Sequence, residues 1–222
     1  MGINPQPDIE LYWSISGTMN CKRFKKNLEH LHVCDNTIHL PRNHKDHDKL
    51  EKVRPLLNFL NRTFQDNATN SQTQSMDESM IKFQVPDSKK QYMLAKPIKR
   101  GFKVWCRCDS KTGYLYQFDT YTGKDQATNE EGLGYRVVMK LAENLPPYTH
   151  LVFDNFFSSL ALMEALYHRG IFATGTVRIH RKGIPKELFY IHTLWIKWQD
   201  AKEVFVLSTA VNPTKVEVIQ RT

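Results

Sequence analysis

The sequence predicts an α/β protein in three parts: a helical region over residues 1–70, a mixed core over 71–180 and a β-rich segment over 181–222. Three observations carry that expectation. Apolar residues recur at helical spacing before the polar run "DNATNSQTQS" and at strand spacing after it. The stretches "YTHLVFDNFF", "SSLALMEALYHRG" and "IFATGTVR" read as strand, helix and strand, at a spacing that implies a parallel crossover. The segments "LWIKWQD", "EVFVLST" and "KVEVI" read as an antiparallel meander.

Taken in order, "MNCKRFKKNLEHLHV" places Phe24, Leu28 and Leu31 on one helical stripe, expected to pack inward, with Lys22, Arg23, Lys25 and Lys26 off it. A turn-rich connector follows, carrying His30, His32, His39, His44 and His47 beside Cys34. Their spacing fits no closed tetrahedral pattern, so no zinc is expected. "HDKLEKVRPLLNFLNRTFQ" sets Leu50, Val53, Leu57, Leu60 and Phe64 on one face, and Pro55 kinks this helix or marks a first turn.

In the core, "SMDESMIKF" is a first strand and "GFKVWCRCDSKTGYLYQFDTYTG" two strands around the turn "DSKTG", with Asp109 as turn-former and Asp119 as a strand-end or surface acid. Cys106 and Cys108 share a strand face and read as packing residues, and no disulfide is expected. Ser158 or Ser159 caps the crossover helix and Gly170 ends it. "LGYR" lacks the full glycine pattern of a phosphate-binding turn.

Two acids stand out, Asp77 and Asp154, each at or near the end of an apolar or β-prone run. A carboxylate there is costly to desolvate unless it is paired, hydrogen-bonded or bound to a cation, so two of them suggest a metal site. Asp154 falls just past a parallel strand, where open α/β sheets place ligands. Glu78 adjoins Asp77, but a regular pleat turns it to the opposite face. Between strands, Lys89, Lys90, Lys96, Lys99 and Arg100 form a basic loop with Tyr92 among them.

Lysine and arginine outnumber aspartate and glutamate by 31 to 23, a formal charge of +8 that favours an acidic partner such as nucleic acid. Lys89, Lys90, Lys99, Arg100 and Arg178 are the candidate DNA contacts. No apolar run approaches a bilayer span, and the N-terminus lacks the order of a signal peptide, so an intracellular protein with no membrane partner is expected.

The motifs "SMDESMIKF", "KQYM", "KPIKRGFKVW", "DSKTGY", "DTYTGK", "FDNFFSS", "GTVR", "RKGIP" and "VLST" resemble, in the same order, those of the piggyBac family of cut-and-paste DNA transposases. "RFKKNLEHLHVCDN" and "KVRPLLNFLN" are similar to its helical dimerisation and DNA-binding region. The resemblance implies an RNase H-like core in which three aspartates bind two divalent cations, usually magnesium. Asp77 matches the first acid and Asp154 the second, in both catalytic and metal-binding roles.

The third acid of the family follows its β-rich insertion, in a glycine-glycine-Val-Asp type motif. No such motif occurs by Thr222, and Asp200 lies in the insertion-like stretch as a turn acid. The family's upstream segment and its cysteine-rich zinc domain are also absent, and "FQVPDSKKQYM" departs from the family's glycine- and arginine-containing turn. The resemblance therefore implies an incomplete core, truncated at both ends, that does not transpose and retains DNA binding at most. A fragment of an active transposase is one alternative; a non-catalytic interaction module or pseudogene product is another. The implied partners are double-stranded DNA, a homodimer or a full-length transposase, in the nucleus.

Overall fold

The computed structural model describes residues 19–35, 37, 40–41, 43–83, 87, 89–94, 96–123, 132–178, 189–190, 192–199 and 202–210. His39, Asp200, "RKGIP" and "KVEVI" lie outside these residues. The chain divides into two compact units, Met1–Phe59 and Leu60–Thr222.

In the first unit, α1 spans Cys21–Glu29, capped by Asn20, whose side chain accepts from the Arg23 amide. The expected inward stripe is corrected here: Leu28 and Leu31 are 51% and 64% exposed. Helical periodicity identifies a face without identifying what covers it. The segment Glu51–Val53 is a 3-10 turn leading into α2, Arg54–Asp66, with Pro55 in its first turn, where a missing N–H costs nothing; from Leu60 on the helix belongs to the second unit. Asp48 accepts from the Arg54 guanidinium at 2.6 and 2.8 Å.

The second unit is built on one sheet. Its strands are β1 (Thr73–Lys82), β2 (Gln91–Tyr92), β3 (Arg100–Asp109), β4 (Leu115–Thr120), β5 (His150–Phe153), β6 (Phe172–Val177), β7 (Phe189–Tyr190), β8 (Thr193–Gln199) and β9 (Glu203–Ser208). The order is β2-β3-β1-β5-β6-β9-β8-β7, with β4 on the same edge of β3 as β2. β1, β5 and β6 are parallel, whereas β3 joins β1, and β9 joins β6, antiparallel. The meander segments therefore extend the core sheet directly, Val177 facing Phe205.

Two helices cover one sheet face. α3, Gly132–Leu141, buries Val137, Val138 and Leu141, and α4, Leu160–His168, buries Leu162, Met163 and Leu166. They pack on Met76, Trp105, Leu151, Phe153, Ala173 and Leu207, alternate residues of their strands. Ser159 caps α4 by accepting from the Leu162 amide, and Gly170 ends it at φ 71°, where only glycine is unstrained. Asn61, in the part of α2 that belongs to this unit, donates to the Phe118 carbonyl and accepts from the Phe118 amide, at 3.0 and 2.8 Å, and so is tied to β4. Arg107 is buried yet bonded to Gln74, Asn70 and Gln117; burial lowers its pKa to about 10, so it stays charged at neutral pH.

Gly175 in β6 carries the crossover tightly. A Cβ there would run into Ser158 Oγ and stand 2.7 Å from the Phe153 ring. Gly175→Ala is therefore expected to cost roughly 1–3 kcal/mol. A thermal melt followed by circular dichroism should show a Tm lower by several degrees; an unchanged Tm would mean the packing has slack.

Candidate active site

The parallel register sets Met76 opposite Phe153, so Asp77 and Asp154 occupy the next positions on neighbouring strands. Asp154 stands just past β5, as its sequence position indicates. Asp77 differs from expectation, lying inside β1 and facing Cys106 of β3. It reaches solvent because β5 has ended beside it, leaving its side chain 64% exposed. Asp154 also shapes its own turn: its carboxylate accepts from the Phe156 amide at 2.9 Å and its carbonyl from Ser158 Oγ at 3.0 Å.

Glu78, set aside on pleat grounds, belongs to the cluster. Lys96 Nζ lies 3.2 Å from Glu78 Oε1 and 3.9 Å from Asp77 Oδ2, so one ammonium bridges residues on opposite faces of the strand. Burial pushes the Asp77 carboxyl above the ordinary carboxylate range, against the hydrogen bond from the Glu78 amide and the charge of Lys96. Burial also works against the Glu78 carboxylate, but the Lys96 hydrogen bond and the charges of Lys103 and Lys96 outweigh it and hold its pKa down.

Lys103 is the second cation. Its Nζ sits 3.9 Å from the Trp105 ring centroid and 5.1 Å from that of Phe156, and these rings stack at 5.2 Å. Burial lowers its pKa, while Glu78, Asp154 and Asp77 pull the other way. Glu78, Lys103 and Asp154 line a cleft of about 880 Å³ with Tyr135, Phe156 and Arg178. Gly134 holds α3 against this loop, where a Cβ would come 2.8 Å from the Phe156 carbonyl oxygen.

Of the proposed DNA contacts, only Arg178 reaches this cleft, its Nε donating to Asn155 Oδ1 at 3.2 Å. Lys90, Lys99 and Arg100 line a different cavity, and Lys89 is paired with Asp87 at 3.0 Å. The residues missed were Glu78, Lys96 and Lys103. Adjacent acids in "DES" and a lysine two residues before Trp105 were the available signals.

Carboxylate oxygens are the right donors for magnesium. However, among the described residues no group of three or more His, Cys, Asp or Glu side chains is placed to hold an ion, and Lys96 offsets part of the charge of Asp77 and Glu78. The described donors alone do not make up a site for a pair of divalent cations.

Lys96→Met tests the bridge. Glu78 has a depressed folded-state pKa, so its stabilisation is present above the ordinary glutamate value of 4.5 and is lost as the pH falls through the folded one. The variant should be less stable than the parent by about 1 kcal/mol at neutral pH, as for a partly solvated ion pair. That gap should close in acid, and denaturant melts showing a pH-independent gap would contradict the bridge.

The Transposase IS4 family model matches residues 1–204. Human PiggyBac transposable element-derived protein 3 is 37% identical over 180 residues, covering 78% of this chain and 29% of that protein. Human PiggyBac transposable element-derived protein 2 is 32% identical over 228 residues, covering 90% and 37%. The chain thus spans about a third of the length of these relatives. The solved structure titled as a piggyBac transposase synaptic complex with hairpin DNA aligns with a TM-score of 0.79 at 23% identity, over 90% of this chain and 45% of that one. That likeness shows the fold, an RNase H-like core with a mixed sheet. Together the family match and the two human relatives show that the chain belongs to the piggyBac transposase family.

Proposed function

We propose that this chain is a transposase-derived, DNA-binding protein that keeps two of the family's three catalytic aspartates, Asp77 and Asp154, and does not by itself cut DNA. The observation that supports the reading is the register of β1 and β5, whose last pair, Met76 and Phe153, is followed by Asp77 and Asp154, while Lys96 and Lys103 supply the nearby positive charge. Phosphoryl transfer by two metals needs a fixed set of bridging carboxylates, and the charge of this cluster is partly offset by the ammonium groups of Lys96 and Lys103. The cations facing the cleft, Lys103 and Arg178, suit phosphate oxygens, and the net charge of +8 favours the approach of a duplex. A nuclear setting and self-association accord with this reading.

The share of the relatives covered favours a second reading, a piece of a cut-and-paste transposase whose remaining ligands lie elsewhere. Magnesium belongs to that reading.

Both are tested by incubating the chain with labelled duplex and magnesium or manganese. We expect salt-sensitive binding, weakening roughly hundredfold between ~50 and ~200 mM salt if about four phosphates are contacted. No nicking is expected. Metal-dependent nicking that vanishes in Asp77→Asn would overturn the first reading in favour of the second; absent or salt-insensitive binding would overturn the DNA-binding role.

A further inference from the structure

We propose that a second cavity, away from the aspartates, binds an unpaired nucleotide by stacking its base on Tyr92. This deepens the DNA-binding reading and rests on it.

The cavity, about 650 Å³, lies where the end of β1 meets β2 and the start of β3. That volume falls within the range of small-ligand sites, about 300–1,000 Å³. Four cations line it, Lys82, Lys90, Lys99 and Arg100, and no acidic residue is among its described lining. Interleaved with them are two aromatic rings that solvent reaches, Tyr92 at 60% and Phe83 at 38% exposure. Arg100 lies over the Tyr92 ring at 5.4 Å and Lys90 over Phe83 at 5.9 Å, while Phe83 is braced by Phe102 at 4.9 Å.

Charge alone would serve a duplex backbone, which offers phosphates and no free base face. Exposed rings beside cations serve a different ligand, a base with an open π-face joined to a phosphate. Tyr92 is the ring best suited to that contact: it stands on a two-residue strand, Arg100 lies over one of its faces, and it is the more exposed of the pair. Pro97 and Ile98 close the cavity with apolar surface, which suits the edge of a base better than a second phosphate. The ligand class is therefore an unpaired segment of a nucleic acid, such as a frayed end or a loop.

The experiment compares a short oligothymidylate carrying one 2-aminopurine with a blunt duplex, each titrated against the parent chain, Tyr92→Ala and Tyr92→Phe. For the oligomer, Tyr92→Ala should weaken binding roughly tenfold or more, the loss of one stacked base. It should also abolish the quenching of 2-aminopurine seen with the parent, and Tyr92→Phe should retain both. Duplex affinity, set by phosphate contacts, should change less than about twofold. If the duplex binds in a salt-sensitive way but Tyr92→Ala leaves the oligomer unaffected, or weakens both ligands equally, the stacking proposal fails and DNA binding stands. If neither ligand binds, both fall.

Discussion

The parallel pairing of β1 with β5 is the constraint on which the rest of the second unit depends. It fixes Gln74 opposite Leu151 and Met76 opposite Phe153, so the apolar members of both strands share a face and α3 and α4 can cover it. A slip of one residue would turn Met76 outward and Asp77 into the core, an arrangement excluded by the cost of burying an unpaired carboxylate. The same pairing ends at Phe153 while β1 runs on to Lys82, which opens solvent beside Asp77 and a cleft beside Asp154. Core packing and site geometry thus follow from one register.

Around those acids the charge is partly compensated from within, two ammonium groups facing three carboxylates. Lys96 arrives from the connection between β2 and β3, and Lys103 from β3, where it faces Met80 of β1. One binds Asp77 and Glu78 directly; the other rests on Trp105 and Phe156 and feels all three carboxylates. The result differs from a bare acidic cluster, which would demand an external cation to offset mutual repulsion. Stacked rings and close backbone approaches at Gly134 and Gly175 fix the same loop from the core side.

Much of this was legible in the sequence where the signal is local. The crossover helix was marked at both ends by Ser159 and Gly170, and Asp109 held its turn by accepting from the Lys111 and Thr112 amides at 2.8 and 2.6 Å. Asp154 was visible because a strand ended on it. What depends on pairing between distant segments was not: the antiparallel docking of β9 on β6, or the interior position of Asp77. Glu78 was missed because alternation predicts where a side chain leaves the strand, and Lys96 is long enough to reach residues on both faces. The basic residues of one loop were legible as a set, but its division required the fold: Lys96 turns to Asp77 and Glu78, whereas Lys90, Lys99 and Arg100 line a separate cavity.

The register of β1 and β5 brings Asp77 and Asp154 one position past its last pair, Met76 and Phe153. The most direct measurement is the pattern of cross-strand nuclear Overhauser effects between backbone protons of residues 74–77 and 151–154 in isotopically labelled protein. The parallel-sheet pattern is expected, with contacts pairing Ser75 with Val152 and Met76 with Phe153. Contacts displaced by a residue, or in antiparallel order, would separate the two aspartates and contradict it.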